Sequence, residues 1–158
     1  AFENTRKEIL CKSRNLIELK QDILKMREKM LDVHPNPTPL FDIKHDRGGI
    51  IDVEFIVQYL VLGYASQSPQ LTGNIGNIAL LKLAGELGLV PAELATQVRT
   101  AYREYRRLQH RFRLGGEPEL TSAPLSKDKS EKFARIAADH LSNDRLSVLQ
   151  LWDAVFRL

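Results

Sequence analysis

Cysteine, glycine, proline and long apolar runs are all scarce in this sequence of 158 residues. The single cysteine, Cys11, excludes an internal disulfide and therefore a fold that depends on a disulfide framework. Nine glycines and seven prolines are too few for a collagen-like or low-complexity chain. No apolar run reaches the roughly 18 residues that a bilayer-spanning helix needs. We therefore expect a cytoplasmic protein without a membrane partner.

The remaining composition is typical of a single helical domain. Charged residues make up 27% of the chain, hydrophobic residues make up 43%, and the formal net charge is +3. A chain of this length can bury one core. Leu, Lys, Arg and Glu, which favour helices, are common throughout. The expected fold class is all-α, a helical bundle.

The first segment is predicted to be one long N-terminal helix over residues 1–34. Apolar residues recur there at intervals of seven, in the adjoining columns Ile9, Leu16, Ile23, Met30 and Leu19, Met26, Val33, with Leu10, Ile17, Leu24, Leu31 beside them. This stripe is wider than a two-stranded coiled coil requires, which favours packing in a bundle. The helix should end before His34, because three prolines follow in residues 35–39.

Residues 35–49 are predicted to be a proline-rich linker that leads into a Gly-Gly loop. Residues 40–44 alternate in character and are compatible with a short strand. Gly48 and Gly49 then give the backbone the freedom that a tight turn needs.

Residues 50–158 are predicted to complete the bundle, as one domain with residues 1–34. An apolar helix should begin directly after Gly49, followed by a loop over about 66–74 and a helix over 75–87 that stops at Gly88. A longer helix should start near Pro91. Its expected apolar stripe, with residues at alternating spacings of four and three, contains Leu94, Val98, Ala101, Tyr105, Leu108 and Phe112. After a loop over 115–126, two shorter amphipathic helices are expected. Their apolar residues are Phe133, Ile136, Ala137 and Leu141 in one, and Leu149, Trp152, Val155 and Phe156 in the other.

Two acids at the start of the apolar helix, Asp52 and Glu54, superficially resemble a metal-binding Asp-x-Glu pair. Side chains two positions apart share a face on a strand, but they lie about 200° apart around a helix. We therefore predict no metal site and interpret them as acids that favour a helix start. Glu54 and Gln58 share a helical face, and an arginine of the following basic helix is their expected partner, in a structural network or in a ligand cleft.

The basic helix is the second candidate region. Residues 91–116 hold six Arg and two Glu, and one row on this helix contains Arg99, Arg103, Arg106, His110 and Arg113, with Arg107 and Arg111 beside it. The like charges in this row repel one another, so an anionic neighbour is expected to stabilise them, either acidic side chains or a polyphosphate. No nucleic-acid motif accompanies the charge, and Tyr102 and Tyr105 are expected in the core, so no nucleic-acid partner is predicted. The four histidines and Cys11 show no zinc-ligand spacing.

Residues 41–55 read FDIKHDRGGIIDVEF. This run closely resembles the F-D-[IL]-K-x-x-x-G-G-I-x-D-[IV]-E-F motif of bacterial glutamine synthetase adenylyltransferases. MREKM at residues 26–30, Leu71-Thr72 with Asn77, and Tyr102, Arg106 and His110 are similar to further elements of that family. The resemblance extends to Trp152 and so covers nearly the whole chain.

The resemblance implies a part of a large two-headed enzyme. In that family a C-terminal half transfers AMP from ATP to a tyrosine of glutamine synthetase, and an N-terminal half removes it by phosphorolysis. Each half joins a nucleotidyltransferase domain to a helical domain, and residues 41–55 resemble the C-terminal half. The chain is thus expected to be the helical domain that ends the enzyme, and its partners are the upstream nucleotidyltransferase domain, glutamine synthetase and a PII-type regulatory protein.

One family element is absent from these residues. The G-S-D-x-D element, whose carboxylates hold Mg²⁺, does not occur in the sequence. No catalytic residue is therefore expected in the chain, which alone should be inactive and should bind neither Mg²⁺ nor ATP stably. Gln109 also departs from the family, in which an acid often precedes the histidine.

Two functions follow as hypotheses. In the first, the chain closes over the nucleotidyltransferase domain, with Lys44 as the first candidate for a phosphate contact, Gly48 and Gly49 allowing close backbone approach, and Arg106 as a weaker candidate. In the second, Arg99, Arg103 and Arg107 make the chain a docking module for glutamine synthetase or a PII-type regulator, without contact to nucleotide.

Overall fold

The structure, a computed structural model, describes residues 1–114 and 135–157. Its helices are α1 (Phe2–Leu10), α2 (Leu16–Val33), α3 (Ile50–Tyr64), α4 (Asn77–Glu86), α5 (Ala92–Arg113) and α6 (Ser142–Phe156), with a 3₁₀ turn at Pro69–Thr72. Two short strands, β1 (Phe41–Asp42) and β2 (Arg135–Ile136), pair antiparallel, with Phe41 opposite Ile136. The predicted all-α class is confirmed.

Helix α3 is the centre of the bundle and contacts α2, α4, α5 and α6. Because its sequence is apolar on nearly every side, it can bury residues in all these directions, and Val53, Ile56 and Leu60 are almost fully inaccessible. Gly63 sits where α2 crosses α3: an added Cβ there would lie 2.8 Å from Leu16 Cδ2. The apolar stripe of α5 packs as its spacing predicted, with Val98 and Tyr105 fully buried.

The prediction of one long N-terminal helix is wrong, because the chain breaks between α1 and α2. The Asn15 side chain accepts hydrogen bonds from the backbone N–H groups of Ile17 (3.0 Å) and Glu18 (3.2 Å), which starts a new helix. The Arg14 guanidinium donates to the carbonyl oxygens of Ile9 (2.9 Å) in α1 and Leu62 (3.2 Å) in α3. The hydrogen bonds of Asn15 and Arg14 therefore determine where the helix breaks, although the seven-residue spacing of apolar residues continues across the break. The predicted end before His34 is confirmed.

The first of the two predicted C-terminal helices is also wrong over the residues that are described. Arg135 and Ile136 form strand β2, and a turn follows up to Leu141. Ile136 is 1% exposed and pairs with the fully buried Phe41, so strand pairing buries the same apolar side chain that the helix was expected to bury. Phe133 and the predicted 115–126 loop lie outside the described residues. The second helix is confirmed as α6.

Most other boundaries agree with the sequence. Helix α3 begins directly after Gly49, and the strand expected within residues 40–44 is β1. Helix α4 is shorter than predicted at both ends and is followed by Gly88, whose φ is +73°. None of the helices in the described parts of the chain is both long and apolar enough to cross a membrane.

Gly48 provides a test of the packing between the Gly-Gly loop and α6. Its φ is +84°, and an added Cβ would lie 2.6 Å from Arg145 Cγ and 3.0 Å from the Arg145 carbonyl oxygen. Gly76 has nearly the same φ, +83°, but nothing lies within 4 Å of an added Cβ. We expect Gly76→Ala to lower the free energy of unfolding by about 1–2 kcal/mol, the backbone cost, and Gly48→Ala to lower it by about 3 kcal/mol or more. Urea denaturation measures both, and equal losses would contradict this packing.

Candidate functional site

The candidate site is built on the loop between β1 and α3, which is held by its own polar side chains. Asp42 Oδ1 accepts hydrogen bonds from the backbone N–H groups of Lys44 (3.0 Å) and His45 (3.1 Å). Asp46 Oδ2 accepts from the Asp42 backbone N–H (3.0 Å) and from Asn36 Nδ2 (2.8 Å). Asp42 is only 2% exposed. These reciprocal bonds fix the backbone from which the Lys44 side chain extends.

His45 belongs to the same loop, where its ring stacks on that of His34 with 4.3 Å between the ring centroids. Burial lowers the pKa of His45 below its ordinary value, and the nearby Asp42 carboxylate opposes this shift in part. The neutral form of the imidazole is thus favoured by its surroundings.

A buried ion pair joins this loop to α2 and α3. Asp52, in the first turn of α3, is fully buried, and its Oδ1 accepts a hydrogen bond of 2.6 Å from Arg27 Nε. Its Oδ2 accepts from Arg47 Nε at 3.1 Å and from the Gly48 backbone N–H at 2.7 Å. Since every carboxylate oxygen is used, Asp52 is a structural anion rather than a metal ligand.

Arg27 connects that carboxylate to the loop. Its guanidinium is 2% exposed, and Nη2 donates to the His45 carbonyl oxygen at 2.7 Å. In the sequence, Arg27 stands within the MREKM element, from which no role for it was predicted. A signal was nevertheless present. Arg27 lies on the same face of α2 as Ile23 and Met30, so a charge there requires a buried partner, and Asp52 is one of the two acids in the apolar α3.

Gly48 and Gly49 are buried, and the chain itself occupies the space that their lack of a side chain creates. The Tyr105 hydroxyl donates to the Gly48 carbonyl oxygen at 2.9 Å, and the Gly49 N–H donates to the Asp46 carbonyl oxygen at 3.0 Å. A Cβ added to Gly49 would lie 2.5 Å from the Ile43 carbonyl oxygen. Both glycine N–H groups are therefore used within the loop and α3, which argues against the expected backbone approach to phosphate at these positions.

Lys44 lies in the loop and Glu54 in the second turn of α3, which begins directly after that loop. The Lys44 carbonyl oxygen accepts from the Ile51 N–H at 3.1 Å, which places this residue over the first turn of α3. Burial raises the pKa of the half-buried Glu54 carboxyl, whereas the positive charges of Arg106 and then Lys44 act to lower it.

The other predicted site residues differ in exposure. Gln58 and His110 are exposed on α3 and α5. Gln109, in contrast, is buried, and its Oε1 accepts a hydrogen bond of 2.7 Å from Arg106 Nη1. A neutral amide therefore holds the Arg106 guanidinium through a hydrogen bond rather than through an ion pair.

The three docking candidates, Arg99, Arg103 and Arg107, differ in their exposure and in their pairing with acidic side chains. Arg107 donates two hydrogen bonds to the Glu104 carboxylate, at 2.6 and 2.9 Å, and these bonds are the main reason that the pKa of Glu104 is below its ordinary value. Arg103 is exposed, and Arg99 is half-buried. Of the two exposed arginines, Arg103 and Arg107, only Arg107 is paired with an acid, so Arg103 is the stronger docking candidate.

The described residues do not fit a resident metal ion. Within residues 1–114 and 135–157, no group of three or more His, Cys, Asp or Glu side chains is placed to hold one. Asp52 and Glu54 differ in their surroundings, since Asp52 is fully buried between two guanidinium groups whereas Glu54 is half-buried.

Comparison with known proteins identifies the family of this chain. Residues 18–157 match the family described as GlnD PII-uridylyltransferase. The chain belongs to this family. It is also 68% identical over 155 residues to the bifunctional glutamine synthetase adenylyltransferase/adenylyl-removing enzyme of Nitrosomonas europaea, a match that covers 98% of this chain and 17% of that relative.

Two further relatives carry the same name. The protein of Nitrosomonas eutropha is 65% identical over 155 residues, which cover 98% of this chain and 17% of the relative. The protein of Aromatoleum aromaticum is 47% identical over 156 residues, which cover 99% of this chain and 15% of the relative. The resemblance that residues 41–55 indicated is confirmed, and the chain spans less than a fifth of the length of these relatives.

Removal of the Arg27 charge tests the buried ion pair. We expect Arg27→Met to lower the free energy of unfolding by about 3–5 kcal/mol, because Asp52 would remain buried without its main counter-charge. The matched control is Lys82→Met on α4, which removes one partner of the exposed Lys82–Glu86 pair (4.0 Å) and should cost less than about 1 kcal/mol. Thermal or urea denaturation gives both values. A loss at Arg27 as small as that at Lys82 would refute the structural role of the pair.

Proposed function

We propose that the intact protein transfers AMP from ATP to a tyrosine of glutamine synthetase and removes it in its other half. The observation that carries this proposal is the 68% identity, over 98% of the chain, to a relative named for both activities. The family description names a uridylyltransferase instead. Both names denote nucleotidyl transfer, and the high identity favours the adenylyl group for this chain.

Within that protein, we assign this chain the role of a helical domain that closes over a separate nucleotidyltransferase domain. No group of acidic side chains suited to Mg²⁺ is found in the described residues, and the sequence has no G-S-D-x-D element. We therefore place the metal chemistry on the other domain. When bound there, Mg²⁺ would stabilise the negative charge of the departing pyrophosphate.

The contribution of this chain is positive charge at fixed positions. Lys44 is exposed, but its backbone is held by Asp42 and by the Ile51 N–H. Arg106 is exposed as well, and the buried Gln109 orients its guanidinium. Cations that extend from rigid backbone bind phosphate oxygens with little loss of entropy. Lys44 and Arg106 are therefore our candidates for contact with the polyphosphate of ATP.

The second candidate function is docking of a protein partner on the outer face of α5. The family description names PII, which supports a PII-type protein as that partner, and glutamine synthetase is the other. Exposed Arg103 favours this function, whereas the pairing of Arg107 with Glu104 reduces the charge available there. A cytoplasmic location stays a prediction.

Truncation of the two candidate cations tests the phosphate contact. In the full-length protein, Lys44→Ala and Arg106→Ala should each raise the KM for ATP in glutamine synthetase adenylylation about tenfold, the effect of losing one charge-assisted hydrogen bond. Lys82→Ala removes an exposed cation on α4 and serves as the control, with no change in KM. An unchanged KM in both test variants would remove these residues from the ATP site.

Charge reversal on α5 distinguishes docking from nucleotide binding. The double change Arg103→Glu with Arg107→Glu should weaken the affinity for glutamine synthetase or a PII-type protein at least tenfold if this face docks a partner, because like charges would then oppose. Under docking the KM for ATP should stay constant. Surface plasmon resonance with each partner, beside the adenylylation assay, separates the two functions.

A further inference from the structure

The Arg47 side chain is held beside the loop between β1 and α3 by three separate contacts. Its Nε donates to the buried Asp52 carboxylate at 3.1 Å. Its guanidinium carbon lies 4.6 Å from the centroid of the Trp152 ring on α6, and its backbone carbonyl oxygen accepts from Arg145 Nε at 2.9 Å. The side chain is nevertheless 39% exposed. Arg47 therefore presents a cation to solvent from a fixed position.

These contacts leave one edge of the Arg47 guanidinium unused. Among the residues that the structure describes, Nε is the only nitrogen of this group that makes a hydrogen bond. Trp152 covers one face of the group and is itself fixed against Phe156, with 4.3 Å between the ring centroids. The remaining edge, formed by Nη1 and Nη2, presents parallel N–H bonds. Such an edge binds the paired oxygens of a carboxylate or a phosphate.

Positive charge exceeds negative charge where the loop meets α6. The Asp52 carboxylate is shared between Arg47 and Arg27, and Arg27 Nε lies closer to it, at 2.6 Å. Arg145, which bonds to the Arg47 carbonyl oxygen, lies over the Phe41 ring at 4.5 Å and makes no ion pair in the described part of the chain. The single carboxylate at this junction therefore accompanies three guanidinium groups.

This excess indicates the charge of the ligand. A carboxylate carries one negative charge, whereas a phosphate group carries about −1.5 to −2 at pH 7. The remaining acids of the loop, Asp42 and Asp46, bind groups of the loop itself and Asn36, and neither is paired with an arginine. Lys44, exposed in the same loop, adds a further cation. These charges favour a phosphate group over a carboxylate.

We propose that Arg47 binds a phosphate group, whose oxygens accept hydrogen bonds from Nη1 and Nη2. Asp52 and Trp152 hold the guanidinium before the ligand arrives, which reduces the entropy that is lost on binding. The phosphate group belongs either to a nucleotide or to a free phosphate ion, which offer the same chemistry to the guanidinium. The inference rests on the proposed function only where a nucleotide is the source.

Stabilisation by a ligand tests this site without a measurement of activity. A ligand that binds only the folded protein raises its Tm. In the full-length protein without Mg²⁺, inorganic triphosphate and inorganic phosphate serve as the two probes. Arg47→Met should reduce the rise in Tm that at least one of them causes, with each protein compared with its own Tm without ligand. If Arg47 were only structural, Arg47→Met would lower the Tm without ligand and leave both rises unchanged, which would overturn the proposal.

Two further variants control for folding and for net charge. Arg47→Lys keeps a positive charge beside Asp52, so folding is preserved, but an ammonium group lacks the planar edge. It should therefore show part of the same reduction. Arg6→Met on α1 makes the same chemical change at an arginine paired with Glu3, at 3.2 Å, and should keep both rises in Tm. An equal reduction in Arg6→Met, or none in Arg47→Lys, would contradict binding through the guanidinium edge of Arg47.

The source of the phosphate group follows from the adenylylation assay. If a nucleotide is the source, Arg47→Met should raise the KM for ATP about tenfold and leave the KM for glutamine synthetase unchanged. If a free phosphate ion is the source, the KM for ATP should stay constant while the rise in Tm with inorganic phosphate is reduced. A higher KM for glutamine synthetase alone, with both rises in Tm intact, would show that Arg47 binds an acidic side chain of that protein, and the proposal would be wrong.

The outcomes also separate this inference from the proposed function. If Lys44→Ala and Arg106→Ala leave the KM for ATP unchanged, the proposed ATP contact is refuted, whereas a reduced rise in Tm in Arg47→Met would still support the Arg47 site. If those two variants raise the KM but Arg47→Met changes neither the KM nor the rises in Tm, only the Arg47 site is refuted.

Discussion

The bond between the Arg27 guanidinium and the Asp52 carboxylate, 2.6 Å long and out of contact with water, is the interaction on which the rest of this structure depends. Each charge alone would be expensive to bury. Asp52 also accepts from Arg47 and from the Gly48 N–H, and Arg27 also donates to the His45 carbonyl oxygen, although Arg27 Nη1 has no hydrogen-bond partner among the described residues. The same pair therefore sets the position of α2 against α3 and the shape of the loop between them.

The loop is held from a second direction by α5 and α6. Tyr105 binds the Gly48 carbonyl oxygen, and Arg145 Nε donates to the Arg47 carbonyl oxygen at 2.9 Å. A loop with this many bonds to four helices is part of the scaffold, although it lacks regular structure. Lys44 is thus an exposed, flexible side chain on a rigid base, which is the arrangement that binding sites favour.

Much of the fold could be predicted from the sequence, because the spacing of apolar residues indicates which face of each helix is buried. The central α3 and the stripe of α5 were predicted well for that reason. The break before α2 was missed, since it depends on bonds made by Asn15 and Arg14 rather than on spacing. Arg27 was missed because a charge within an apolar stripe was not matched with the acid in α3. The bond from Tyr105 to the Gly48 carbonyl oxygen was not predicted either, because it depends on how α5 packs against the loop, which a periodic pattern does not contain.

The pairing of β1 with β2 has a consequence for how the protein is made. The ribosome releases the chain from its N-terminus, so the helical segments up to α5 emerge before the residues that complete the loop. Strand β2 and Arg145, which lies 98 positions beyond its acceptor Arg47, come later. Contacts between such distant positions form late, because a long stretch of chain must first be ordered. The contacts that strand β2 and Arg145 make with β1 and the loop after it are therefore expected to be among the last to form during synthesis.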